Sequence, residues 1–254
     1  MFNIALNTFR EIIRNKFISL IIFLGVILFL SSLIFDTLSL GQTERVLTDF
    51  GLSFIEITGL LIILLLGWGM ITREIEWRTI YLLLSKPISR WSIIYWKFIG
   101  CASVLFIMIL LESLFVMGIL SLHGHFPESL FFFAIIGIYL KLLTILALIL
   151  FFSTFVSPTI ALFMTLASYI IGHSWYLMLE YALESMDVFY LQVARFILAI
   201  FPDLESLNLK NYVATGAPID INIYFIAFGM AIIYTWVITF LAAKIFERRS
   251  FDAV

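Results

Sequence analysis

Charge is what this sequence has least of. Asp, Glu, Lys and Arg make up 13% of its 254 residues, while 63% are hydrophobic and mean hydropathy is +1.13. An ordinary soluble domain holds about 25% charged and about 45–50% apolar residues, so water is not the main solvent of this chain. Cysteine is nearly absent too. Cys101 stands alone at the start of an apolar run, which excludes an intrachain disulfide, a CxxC pair and a Cys/His metal framework. Also missing are the glycine-rich GxxxxGK[ST] loop that cradles nucleotide phosphates, the HExxH zinc motif and the GxSxG nucleophile elbow. The chain is therefore expected to catalyse nothing by itself and to hold no metal or cofactor. Nucleic acid has no basic surface to meet, since the formal net charge is -2.

What is present is a series of apolar runs near the length that a hydrocarbon core of about 30 Å demands. Six spans are expected, at 17–35, 51–72, 98–122, 130–152, 159–179 and 221–243, within a transmembrane domain covering 17–249. The first run outlasts a signal-peptide core and no A-x-A site follows it, so it reads as retained. Before it, residues 1–16 set Phe2, Ile4, Ala5, Phe9, Ile12 and Ile13 opposite Asn3, Asn7, Arg10 and Arg14 at helical spacing. That is the pattern of an amphipathic helix lying in the membrane interface. A short tail, 250–254, closes the chain. The fold class is thus an all-α membrane protein.

Orientation follows from the basic residues. With an even number of spans, Arg10, Arg14, Lys16, Arg73, Arg78, Lys86, Arg90, Lys97, Lys244, Arg248 and Arg249 share one side, and only Arg45, Arg195 and Lys210 face the other. The positive-inside rule puts both termini in the cytoplasm, which for a bacterial chain means the inner membrane. The segment 180–220 is then external. Its apolar stretch 188–201 reaches only about 21 Å as a helix, too short to span. It reads either as a helix on the membrane surface or as a re-entrant half-helix, ended by Pro202.

Two charges fall inside spans. Glu112 and Lys141 lie at similar distances on either side of the connecting turn near Phe126, so antiparallel neighbours would hold them at one depth. A charge in hydrocarbon costs roughly 2.5–3.5 kcal/mol on insertion scales, which predicts that they pair. Glu56 sits close enough to the outer end of its span to read as wetted. His123 and His125 form an H-x-H pair in the outer turn, able to hold a soft metal only if a third ligand arrives. His173, beside Trp175 and Tyr176, reads as part of an aromatic belt.

The loop 73–97 is the most informative stretch. Glu74 and Arg78 stand at i, i+4 in the order that supports a helix, Ile80, Leu83 and Leu84 give an apolar patch, and Pro87 breaks the helix. A second helix is entered through Ser89, Arg90 and Trp91. Such a cytoplasmic knob suits docking into another protein's groove.

The pattern Glu74-x-Glu76-x-x-Thr79, followed by Leu83-Leu84-Ser85-Lys86-Pro87-Ile88-Ser89-Arg90 and leading to Lys97, resembles the ABC-2 type permease family. The amphipathic start, the spans and the outer Phe201-Pro202-Asp203-Leu204-Glu205 segment are similar to it as well. The nearest branch resembles the permeases linked to multicopper-enzyme maturation, such as that serving nitrous-oxide reductase. The resemblance implies a membrane subunit of an ABC transporter whose coupling helix, carried by Glu74, Glu76, Thr79, Leu83, Leu84, Pro87 and Arg90, contacts a separate cytosolic ATPase dimer. ATP and Mg would be bound there. It also implies a permease homodimer or heterodimer working by alternating access. The alternative is a membrane subunit that moves no substrate and transmits force to a periplasmic accessory protein through 180–220.

Overall fold

The computed structural model describes residues 2–12, 23, 27, 30–31, 43–67, 89–125, 129–184, 188–215 and 221–248. Among them there is no strand. The elements are α1 (Phe2–Ile12), α2 (Thr43–Gly67), α3 (Arg90–Leu122), α4 (Ser129–Ser153), α5 (Pro158–His173), α6 (Trp175–Glu184), α7 (Val188–Ile200), a single 3-10 turn (Glu205–Leu207), α8 (Lys210–Thr215) and α9 (Ile221–Arg248). Helices are what apolar runs must form in lipid, because each backbone N–H and C=O then finds its partner within the segment.

Four helices are long and apolar enough to cross a bilayer, with qualifying segments Glu44–Gly67, Trp91–Leu122, Ser129–Ser153 and Ile221–Arg248. The expected span at 159–179 is not one straight helix. It is broken into α5 and α6, bent by 59°. At the break Ser174 N–H donates to the carbonyls of Ile170 and Ile171, closing α5, and Met178 N–H then donates to the Ser174 carbonyl, opening α6. The expected span at 17–35 falls largely outside the described residues; Phe23, Ile27, Leu30 and Ser31 within it are helical.

α3 is 33 residues long, about 50 Å at 1.5 Å per residue, so it outreaches a hydrocarbon core. α1 docks against it. A Cβ at Gly100 would stand 2.9 Å from the Ala5 carbonyl oxygen and 2.9 Å from Thr8 Cβ, so the glycine is what lets the two helices approach. The amphipathic helix is thus packed on the bundle through Ala5 and Thr8, with Asn7 and Arg10 exposed.

α4 is the central helix, packed against α2, α3, α5 and α9. From Thr144 to Leu150 every residue is buried. α9 meets it through a stripe of small and hydroxyl residues at intervals of one turn: Ala227, Ala231, Thr235 and Thr239 are buried. Small side chains bring two helix axes close where lipid supplies no hydrophobic drive for association. Thr144 and Thr235 share a hydrogen bond of 3.1 Å across this seam.

The segment 201–209 after α7 is packed differently from α7 itself. α7 is exposed along most of its length, but Pro202, Leu204, Leu207 and Leu209 are buried. Leu204 N–H donates to the Gly172 carbonyl at 3.2 Å. A Cβ at Gly172 would come within 2.7 Å of Leu204 and 2.8 Å of the Pro202 carbonyl, and one at Gly137 within 2.7 Å of the Leu207 carbonyl. The chain re-enters the bundle here, behind the 188–201 stretch. The bend between α5 and α6 lies where this loop is wedged.

Candidate functional site

Polar side chains inside the bundle gather around one carboxylate. Glu56, near the middle of α2, is 1% exposed. Its Oε1 is 2.9 Å from Lys141 Nζ of α4 and 2.9 Å from His173 Nε2 of α5, and accepts a 2.9 Å hydrogen bond from the Tyr169 hydroxyl. Lys210 Nζ, at the start of α8, stands 2.6 Å from Oε2 as an ionic contact without hydrogen-bond alignment. His173 turns its other nitrogen, Nδ1, to Glu205 Oε2 at 2.9 Å. Asn208 Nδ2 donates to Glu205 Oε1 at 3.0 Å.

The network therefore joins three bundle helices to the re-entrant segment. Glu56 and Glu205 balance Lys141 and Lys210, with the imidazole between the two carboxylates. This balance is what allows Lys141, 0% exposed and about 18 Å along α4 from Ser129, to remain in an apolar setting. Removing one partner of such a buried pair commonly costs about 3–5 kcal/mol. In Glu205, outside the spans, burial pushes the carboxyl up, but the hydrogen bonds from His173 and Asn208 outweigh it and hold the group below the usual range.

The expected Glu112–Lys141 pair is not formed. Each residue is taken by α2 instead, Lys141 by Glu56 and Glu112 by Thr58, whose Oγ1 donates to Glu112 Oε2 at 2.7 Å. Depth counted from a turn says nothing about which face of the helix a side chain occupies, and here the two faces meet α2 at neighbouring positions. Glu112 is 0% exposed and its Oε1 has no hydrogen-bond partner among the described residues.

The reading of Glu56 as wetted is overturned by the same geometry, as is that of His173 as an interfacial aromatic neighbour. Lys210 and Glu205, read only as parts of an external segment, supply the remaining charges. A signal was available: an acid in an otherwise apolar span requires a cation, and Lys141 was the nearest unpaired one. No sequence rule placed 205–210 beside it.

The other candidates are dispersed. His125 Nδ1 lies 3.0 Å from Glu44 Oε2, while His123 Nδ1 is 2.9 Å from the Ile119 carbonyl oxygen. Among the described residues no group of three or more His, Cys, Asp or Glu could hold a metal ion. Of the expected coupling residues, Arg90 is the first residue of α3, and Glu74, Glu76, Thr79, Leu83, Leu84 and Pro87 lie outside the described residues, as does the 250–254 tail.

No curated protein matches the chain. The sequence pattern of one family, described as ABC-2 family transporter protein, matches residues 2–251, and with several apolar helices around a charge-neutralised interior the chain belongs to that family, as a multi-pass membrane subunit of the ABC-transporter type.

Proposed function

We propose that the chain is the permease of an ABC transporter, moving a substrate by alternating access while a separate cytosolic ATPase dimer, docked on residues 73–90, supplies the energy. The observation that carries this reading is the family match over 2–251. Because the sequence lacks a phosphate-binding loop, ATP and Mg belong to the partner, and the chain itself is not an enzyme. A second permease, identical or similar, completes the transmembrane part. Both termini face the cytoplasm across the inner membrane. The branch serving multicopper-enzyme maturation is the nearest by resemblance, and there a periplasmic accessory protein would meet 180–220.

The geometry suggests how ATPase motion would reach the far side. α3 begins at Arg90, directly after the proposed docking loop, and runs without interruption to Leu122. α2, α4, α5 and the 205–210 segment are tied by the Glu56 network. Displacement of α3 against this tied unit converts a cytoplasmic movement into an outer one. ATP can drive it only through different affinities of the ATPase for the two states.

The docking assignment is tested by Glu74→Ala and Leu83→Asp in cells that carry the cognate ATPase. Both are expected to reduce ATPase co-purification and stimulated turnover. Unchanged assembly together with unchanged turnover rejects it.

A further inference from the structure

A cavity of about 440 Å³ lies between α6, the end of α7, the 201–207 segment and the first half of α9. Its volume falls in the range of small-molecule sites, about 300–1,000 Å³. The wall on the α9 side is apolar, formed by Ile223, Ile226 and Met230, and aromatic rings of Trp175, Tyr176 and Tyr234 close much of the rest.

One charged group on this wall is hydrogen-bonded but lacks a counter-ion among the described residues. Among the described residues Asp203 is the only acidic or basic one of the lining. Its Oδ1 accepts the Ser206 backbone N–H at 2.9 Å, and among the described residues no Lys, Arg or His forms an ion pair with it. Trp175 Nε1 is fully buried, with no hydrogen-bond partner among the described residues. Tyr234 differs from Trp175, since its hydroxyl already donates to the Ile200 carbonyl at 3.0 Å.

The neighbours of Asp203 have structural employment. Pro202 and Leu204 are buried against Gly172, and Glu205 is held by His173. Asp203 lines the cavity with Pro202, Leu204, Ser206 and Leu207, and of these it alone carries charge. An anionic ligand would meet its carboxylate with no Lys or Arg on the wall to compensate. A wholly apolar one would leave the half-buried acid without a counter-charge, which is costly. A cation satisfies it, and aromatic faces within about 6 Å of an alkylammonium add attraction through their quadrupoles.

We propose that this cavity binds a cationic amphiphile, a long-chain amine or quaternary ammonium whose charge rests against Asp203 among Trp175, Tyr176 and Tyr234 and whose chain lies along Ile223, Ile226 and Met230. The site lies within one chain and does not depend on the ATPase reading. Binding without ATPase docking would leave it standing, and docking without binding would remove it alone.

The test uses the full-length chain in lipid nanodiscs without nucleotide. A dodecyltrimethylammonium derivative with a diazirine in its chain is photolysed, and the labelled peptides are identified by mass spectrometry. Matched dodecanoate and dodecanol derivatives serve as controls. Labelling is expected at α6 and the first half of α9, displaced by unlabelled dodecyltrimethylammonium. Asp203→Asn keeps an acceptor for Ser206 and should weaken apparent affinity roughly tenfold or more, the scale of a lost charge-assisted contact. Met230→Trp, which fills the cavity from an exposed helix face, should abolish the labelling. Melting and size-exclusion profiles verify that both variants fold. Equal labelling by the anionic or neutral probe, or undiminished labelling in folded Asp203→Asn, overturns the proposal. So does protection of the site by contact with a second copy of the chain.

Discussion

Helices α4 and α9 are built from nearly the same apolar alphabet, with mean hydropathy 2.6 and 2.1 over their most apolar stretches, yet 67% of that stretch is buried in α4 and 17% in α9. In water such a difference would be written as amphipathicity. In a bilayer, lipid tails are as apolar as Leu, so an outward face has no reason to become polar. What separates the two helices is where their few unusual residues lie. α4 carries Lys141, which must be surrounded by neutralising partners, and Gly137, which must be approached by the 201–209 loop. α9 carries one seam of small and hydroxyl residues and buries its last turns through Ala242, Ala243 and Phe246, while much of its first half is exposed.

The comparison breaks most readily at Lys141. Lys141→Ala should destabilise the protein by about 3–5 kcal/mol, because it leaves Glu56 and the other network charges unbalanced in a buried site. Thermal or detergent unfolding would measure the loss, and adding Glu56→Gln should recover part of it. If Lys141→Ala melts like the wild type, the network does not hold the centre of the bundle.

A smaller effect is expected from overpacking the loop contacts. Gly172→Val and Gly137→Val place a side chain where a backbone carbonyl stands within 2.8 Å and 2.7 Å, and each should cost about 1–3 kcal/mol. Limited proteolysis of the 201–210 region should rise in parallel with that loss. An unchanged protease pattern would mean that the re-entrant seat is not formed.

On α9 the contrast lies within one helix. Ala231→Leu on the buried seam should cost about 1–3 kcal/mol, whereas Ile232→Ala or Ile233→Ala on its exposed side should remain within about 0.5 kcal/mol. Equal effects from the two faces would reject the α4–α9 seam.

The smallest effect concerns pH. Glu205 titrates lower when folded than its ordinary 4.5, so the unfolded chain binds its proton first. Its stabilisation is fully present above that value and is lost as pH falls through the lower folded value. Glu205→Gln should therefore narrow the stability difference between pH 6 and pH 3 conditions, of the kind about one carboxylate produces, in reversible unfolding measurements. An identical acid profile would remove Glu205 from the network.

Much of this fold was legible because it depends on composition. The apolar runs that became α2, α3, α4 and α9 are long enough to span, and the amphipathic start became α1. The break at Ser174 was not legible. Gly172, His173 and Ser174 interrupt the apolar run only briefly, and the bend coincides with a loop more than twenty residues further on, seated against Gly172. The candidate site was read in part. Lys141 was identified as needing an acid, but Glu112 was chosen over Glu56 because spacing measures depth along an axis and not rotation about it. Glu205 and Lys210 could not be assigned, since their role arises only when 201–210 folds back between helices.

The sequence by itself determined that this is a multi-pass helical membrane chain, since hydrocarbon admits only segments that satisfy their own backbone and tolerates a buried charge only with a partner. The tertiary structure alone decided which partner. That choice depends on which faces of α2, α4 and α5 turn toward one another and on a re-entrant loop that brings Glu205 and Lys210 to His173 and Glu56, and neither is a property of any local stretch of residues.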